Sequence, residues 1–496
     1  MIEKKYFGED KNIEFKREIP QRHEKFLKDV IAFSNSSGGK VIVGIENTTN
    51  KVYGIGDMNP FKLSDDISNM IYDACTPLIE ASISLKTIDG ETVLVIEVDP
   101  GKFRPYYLKS QGKASSTYIR INGPSRPADA RRIQELELEG QLISYDTQQY
   151  IGEGLDIAEA LELCETMKRI ALEGCTGKEE KSQVKDLSLE KLEDFGLLHR
   201  IEEDLHPTNG YMLLTKNPLK YAKIQCALFK GLNRDVFIDK REFSGPIYAQ
   251  IEEAYQFVLK HINLGAEIDG LQRRDVYELP INAIREMIVN AVAHRSYLDD
   301  SCIQVSIFDD RVEVLSPGML YGGLDMESAK SGKSKCRNAA ICEAFHYMKM
   351  IEQWGTGIPR IINQCREYGL KEPLFEEFGD GVRVVMYRKK LDLDNAKLDS
   401  NDKELDLGDI KLYFEKVKTI LKNQNYTEKT IKHICKLYIT FGNEIAFDRS
   451  QIAEMLGCSI SNASLILKTM KESGIIEHDA TMERGQYAFV AFEQLE

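Results

Sequence analysis

The chain has few residues that could staple it or bind a metal, and those few are scattered. Its 10 cysteines include no C-x-x-C pair, and its 8 histidines fall at no zinc-ligand spacing. A structural zinc site needs such clustering, so the expectation is free thiols in a reducing cytoplasm. No apolar run approaches the roughly 18 residues of a membrane helix, which excludes a membrane partner of that kind. The polar start MIEKKYFGEDKN has no apolar core of the sort a signal peptide carries. Positive charge is also in deficit, with 65 Lys and Arg against 79 Asp and Glu and a net charge of −14. Such a chain does not coat nucleic acid indiscriminately, although local basic patches remain able to hold it. What is present, 42% hydrophobic and 29% charged residues over a length of 496, suits a soluble globular protein too long for one core.

Shifts in pattern divide the chain into an α+β multidomain arrangement. The expected segments are an α/β domain over 1–132, an α/β connector over 133–276 and a second α/β domain over 277–391. An acidic linker over 392–411 and a helical module over 412–496 follow. The linker contains seven acids and two lysines between Asp392 and Asp409, without apolar periodicity.

The most informative segment is PINAIREMIVNAVAHR, Pro280 to Arg295. Ile284, Met287, Ile288, Ala291 and Val292 recur at helical spacing and predict one buried face. Glu286 and Asn290 share another face, one turn apart. A carboxylate able to polarise water beside an amide able to ligand Mg²⁺ suits nucleotide hydrolysis. In isolation, a surface Glu and a helix Asn would be the better reading. Downstream, IQVSIFDDRVEVLSPG reads as a hairpin turning at Asp309-Asp310. A polar loop, SAKSGKSKCRNAAI, and then EQWGTGIPRI follow, with Gly355 and Gly357 ahead of an apolar helix. Glycines there let backbone amides approach a polyphosphate. The triplet Gly332-Lys333-Ser334 is not a P-loop, because Glu327 stands where that motif needs its first glycine.

In this order the three motifs resemble the GHKL ATPases, which include histidine kinases and gyrase-type ATPases. The likeness is closest to a divergent bacterial branch whose first helix runs on as NAVAHRSY, a branch often labelled as related to RecG helicase. It implies an α/β sandwich binding ATP and Mg²⁺, with Asn290 on the metal and Glu286 as general base of a weak ATPase. It also implies nucleotide contacts from Gly318, from Arg337 and Asn338 in the lid, and from Gly355, Thr356 and Gly357. Most members carry an Asp that binds the adenine amino group. Here that loop reads Ser316-Pro317-Gly318, without an acid.

Between Gly101 and Arg132 the charge balance reverses, with eight Lys or Arg against Asp129 alone. Phe103, Tyr106, Tyr107 and Tyr118 are interleaved. Lys109, Lys113, Arg120, Arg126 and Arg131 are therefore candidate phosphate contacts; a solvated basic strand pair fits the composition equally well. The segment closes a stretch from NIEFKRE through AFSNSSGG and KVIVGIEN that resembles the AlbA-type DNA-binding domain shared with Schlafen proteins. Phe26, Val30, Ile31 and Phe33 give its helix a core stripe, and Val41, Ile42, Val43 and Ile45 give it a central strand. Some Schlafen proteins cleave RNA with three acids, and Glu9, Glu14 and Glu46 stand at the corresponding places. Nuclease activity is the disfavoured alternative, because Glu14 is typical of the domain without it.

Connector residues Tyr211 to Leu214 read as strand, and no catalytic constellation is evident there. In the last module, Ile452, Ala453 and Leu456 predict one helix, Gly457 a break, and Ala463, Ile466, Leu467 and Met470 a second. A hairpin near Arg484 would complete a fold that resembles a winged helix-turn-helix. Ser461, Asn462, Lys468 and Arg484 would then meet duplex DNA. Leu465 sits where many DNA readers carry a cation, so pairing the subunits of a homo-oligomer is the alternative use of the module. Together these features predict a cytoplasmic transcription regulator with nucleotide-linked DNA affinity. The alternatives are a Schlafen-like nuclease and an assembly protein.

Overall fold

A computed structural model describes residues 11–121, 123–269, 272–352, 354–389, 417, 420–421, 426, 428–441, 447–456, 458–478 and 486–490. The chain forms two compact units, 1–390 and 391–496.

The first unit begins with a four-stranded sheet in the order Ile13–Lys16, Gly39–Val43, Glu91–Val98, Ala81–Ile88. Its first pair is parallel, with Glu14 opposite Val41. A parallel pair needs a crossover, and helix Glu24–Ser34 supplies it, burying Phe26, Val30, Ile31 and Phe33. The return is tight. Gly38 has φ +81°, and a Cβ on Gly39 would lie 2.3 Å from the Phe33 ring. Strand alternation then fills two cores, Val41, Val43, Leu94 and Ile96 on one face and Phe15, Ile42, Val93 and Val95 on the other.

A six-stranded sheet follows, ordered Phe237–Phe243, Ile224–Phe229, Ile303–Ile307, Arg311–Pro317, Gly381–Tyr387, Leu374–Phe378. Its first two strands come from the stretch read as connector, so this sheet runs across position 277. Ile224 pairs with Ile303 in parallel, a long-range register that joins the two segments. The expected hairpin turns at Asp309-Asp310, with Ile307 opposite Val312. Helix Ile281–His294 buries Ala283, Ile284, Met287, Ile288 and Ala291. It packs against the sheet and against helices Ile247–His261 and Gly357–Glu367.

Two expectations are corrected. Tyr211–Leu214 lies in helix Asn209–Leu214, not in a strand, because the Thr208 side chain accepts from the Tyr211 amide and starts a helix there. The cysteines are not all free, since Cys336 and Cys342 form a disulfide.

In the second unit, helix Arg449–Leu456 is followed by helix Ile460–Glu472 and the antiparallel pair Ile476–Glu477 and Ala488–Phe489. Ala463, Ile466 and Met470 are buried with Ile452 and Phe489. Gly457, Arg484 and the 392–411 linker lie outside the described residues. Among the described residues no helix is long and apolar enough to cross a membrane.

Candidate nucleotide-binding site

Helix Ile281–His294 presents Glu286 and Asn290 to a cavity of about 530 Å³. The Asn290 amide donates to Glu286 Oε1 at 3.1 Å. Gly357, at the start of the facing helix, lies so close that a Cβ would be 2.3 Å from Glu286 Oε1. Any side chain there would have to push the Glu286 carboxylate aside, so glycine lets the helix N-terminus lie against the pair. Burial raises the Glu286 carboxyl above its ordinary value; the Asn290 hydrogen bond and the Arg360 cation pull it the other way. Arg360 Nη1 lies 3.9 Å from Glu286 Oε2. A carboxylate with a raised pKa is a better proton acceptor than a free one.

Met287, Val314, Met319, Phe375 and Val384 form the apolar part of the cavity, a lining suited to a planar base. The Ser316 hydroxyl at its edge donates to Ala291 O at 2.8 Å. His294 also lines the cavity. Burial, with a contribution from Arg337, lowers its imidazole to about 4, so it is neutral at physiological pH.

Of the residues the resemblance assigned to nucleotide, Glu286, Asn290, Gly318, Gly355 and Gly357 line the cavity together, whereas Arg337, Asn338 and Thr356 do not. Arg337 is buried and bonds to Met319 O, with Nη1 3.3 Å from Glu135 Oε1. Asn338 donates to the carbonyls of Ala293 and Arg295, each at 2.9 Å. Thr356 donates to Glu352 Oε2 at 2.9 Å. All three are structural ties. The cations that do line the cavity are Lys333 and Lys335. Their signal was the Gly-Lys-Ser triplet, set aside with the P-loop. Cys336 and Cys342 line it as well.

The segment that carries Arg337 is also tied to helix Ala130–Gln141. Glu135, on helix Ala130–Gln141, meets Arg337, Arg132 and the Ser296 hydroxyl. Burial works against its charge, but the Arg337 and Arg132 cations hold its carboxyl down at about 2.

The residues read as DNA contacts are largely engaged within the protein. Arg120 is 2% exposed and donates to Glu14 Oε2 at 2.9 Å. Arg131 reaches Asp300 Oδ1 at 2.7 Å, Lys113 pairs with Glu137, and Lys109 Nζ donates to Tyr72 O at 3.1 Å. Arg126 is exposed. Of the nuclease set, Glu14 is held by Lys16 at 2.6 Å and by Arg120. Glu46 accepts from Thr49 at 2.7 Å, and Glu9 lies outside the described residues. No group of three His, Cys, Asp or Glu able to hold a metal occurs among the described residues. In the second unit Ser461, Asn462, Leu465 and Lys468 are exposed on one helix.

Two family models match the chain. Residues 300–386 match the HATPase_c_4 model, described as "Putative ATP-dependent DNA helicase recG C-terminal". Residues 9–129 match "Schlafen, AlbA_2". The chain therefore joins a Schlafen/AlbA_2 domain to an ATPase-like domain of the recG C-terminal type. No curated protein matches. Among solved structures, the DIP2311 protein from Corynebacterium diphtheriae is similar at 18% identity and TM-score 0.40, over 98% of this chain and 93% of that one. The N-terminal domain of a RecG-related protein from Nitrosomonas europaea, titled a "Putative ATP-dependent DNA Helicase", is similar at 23% identity. That match has a TM-score of 0.20 and covers 25% of this chain and 86% of the other. At such scores neither likeness carries an argument.

Proposed function

We propose that this chain is a cytoplasmic transcription regulator that binds duplex DNA with an affinity set by the nucleotide in the Glu286–Asn290 cavity. The observation that carries the reading is the cavity itself: a Glu–Asn pair facing a glycine-led helix, an apolar wall for a base, and two lysines at the lid. ATP would lie with its phosphates between Gly355–Gly357 and Lys333, and Glu286 would polarise the attacking water. Mg²⁺ would be held by the Asn290 side-chain oxygen, because the amide nitrogen is already given to Glu286. One protein oxygen, with phosphates and water, suits a cation that keeps much of its hydration. When bound, it would neutralise charge on the phosphates.

The route to DNA runs through the lid. Arg337 joins the lid to Glu135 on helix Ala130–Gln141, and the Arg104–Glu139 pair ties that helix to the first domain, so lid closure on nucleotide would shift how the first domain is held. Such coupling is reciprocal, and DNA would alter nucleotide affinity by the same factor. The exposed Ser461, Asn462 and Lys468 would read base edges, and Arg484 would add a phosphate contact. The exposed Leu465, 63% accessible, supports a second use of that module, in pairing subunits of a homo-oligomer.

Calorimetry on the full chain tests the nucleotide step. Wild type and Glu286→Gln should both bind Mg·ATP, and only the variant should lose phosphate release altogether. Absence of ATP binding by the wild type would refute the reading, with the missing adenine-binding acid as its cause.

A further inference from the structure

The lid segment at the nucleotide cavity carries a pair of sulfurs. Cys336 and Cys342, six residues apart, form a disulfide, and both line the cavity. Both are partly exposed. Cys75, Cys164, Cys175, Cys226 and Cys365, by contrast, are free thiols buried in the cores. A buried thiol is inert, whereas an accessible disulfide is open to exchange. In a cytoplasmic protein, as proposed above, such a disulfide acts as a redox sensor rather than a staple.

The surroundings of the pair define what the bond can move. Arg337 and Asn338 lie between the two cysteines and are buried, bonded to Met319 O and to the Ala293 and Arg295 carbonyls. Beyond them, helix Ala339–Tyr347 buries Ala340, Ile341, Ala344 and Phe345, so Cys342 rides on a fixed element. On the other side of Cys336 the chain comes to the surface, where Lys333, Ser334 and Lys335 are exposed and still line the cavity. That segment starts against the glycine loop, since a Cβ on Gly355 would collide with the Gly332 carbonyl oxygen. Lys335 Nζ donates to Gly322 O at 2.5 Å. The disulfide therefore tethers one end of a lysine-bearing segment to an anchored helix while both lysines face the cavity. Such a tether lowers the ordering cost that phosphate binding would otherwise carry. After reduction the Cys336 thiol can donate to Asn338 O, 3.4 Å from its Sγ, a far weaker hold than a covalent bond.

We propose that Cys336 and Cys342 are a reversible oxidation site, and that the disulfide form binds the phosphates of the nucleotide more tightly than the dithiol form. The effect on affinity rests on the nucleotide reading above; the exchange does not. A thiolate of a glutathione-class reductant attacks one sulfur of the pair. The S–S bond breaks, a mixed disulfide forms, and the other cysteine leaves as a thiolate and takes up a proton. A second reductant thiolate then displaces the remaining cysteine, which is protonated in turn, and the reductant departs as its own disulfide. Two electrons and two protons pass to the protein, and the oxidised reductant runs the same steps in reverse. Lys333 and Lys335 beside Cys336 favour the thiolate, the form that reacts.

The test uses the full chain, equilibrated with excess oxidised glutathione or excess dithiothreitol and then freed of either. Alkylation read by mass spectrometry should label neither cysteine of the pair in the first sample and both in the second, with the label lost again on re-oxidation. Labelling that does not differ between the samples would overturn the exchange. Calorimetry with Mg·ATP should give an affinity about fivefold higher for the oxidised form, the lower end of ordinary coupling. Cys336→Ser/Cys342→Ser, its melting temperature checked first, should bind with the reduced affinity after either treatment. Should that variant melt early, the two wild-type forms decide alone. Equal affinities in those forms, tighter binding by the reduced one, or a redox effect that survives in the folded variant would overturn the control of affinity. ATP bound by neither form would strike the nucleotide reading, and alkylation would still decide the exchange.

Discussion

The nucleotide cavity and the basic stretch from Gly101 to Arg132 make opposite use of their charged residues. In the cavity, Glu286 and Asn290 stand where helical spacing puts them and face a space large enough for a ligand. In the stretch, Arg120 is buried against Glu14, and the exposed Arg131, Lys113 and Lys109 bond to neighbouring surface groups of the same chain. A spacing motif constrains direction, because residues one turn apart must share a face. A run of like charge constrains only composition, and its partners can lie far along the chain.

The comparison can be broken first at Arg120. Arg120→Gln should destabilise the protein by about 3 to 5 kcal/mol, because it strips a buried partner from Glu14. Urea unfolding measures it; a stable variant with weakened DNA binding would instead restore Arg120 as a surface contact. Next is Gly357→Val, whose side chain would collide with Glu286 Oε1. It should cost at least tenfold in ATP affinity and about 1 to 3 kcal/mol in stability, read by calorimetry and melting. Trp354, the chain's one tryptophan, is 88% exposed beside this loop and should report ATP binding through its fluorescence.

A smaller effect is expected at Glu135. Its folded carboxyl lies near 2, below the ordinary 4.5. Its stabilising contribution is therefore complete above about pH 4.5 and is lost as pH falls toward 2. Glu135→Gln should flatten the acid side of the stability profile and reduce the effect of ATP on DNA affinity. An unaltered acid limb would contradict the Arg337 tie. Smallest of all, Arg126→Gln should change DNA affinity by less than about threefold, through the loss of one phosphate contact at most.

Much of the fold was legible locally. Helix Ile281–His294, the Asp309-Asp310 turn and the Gly38-Gly39 return follow from periodicity and turn chemistry. The joining of Ile224–Phe229 to Ile303–Ile307 did not, since a parallel pairing across so many residues leaves no local trace. That the side chains of Arg337 and Asn338 bond to Glu135, Ala293 and Arg295 was hidden for the same reason. Tyr211–Leu214 is apolar enough for strand or helix, and the Thr208 cap decided it.

Regulation of this kind requires that nucleotide change the hold on DNA. The direct measurement is the dissociation constant of the full chain for duplex DNA, by fluorescence anisotropy at fixed salt, with and without saturating Mg·ATP. The expected result is a shift of about 5-fold or more, the lower end of ordinary coupling, which disappears in Asn290→Ala. Equal constants in the two conditions, with ATP shown by calorimetry to be bound, would contradict it.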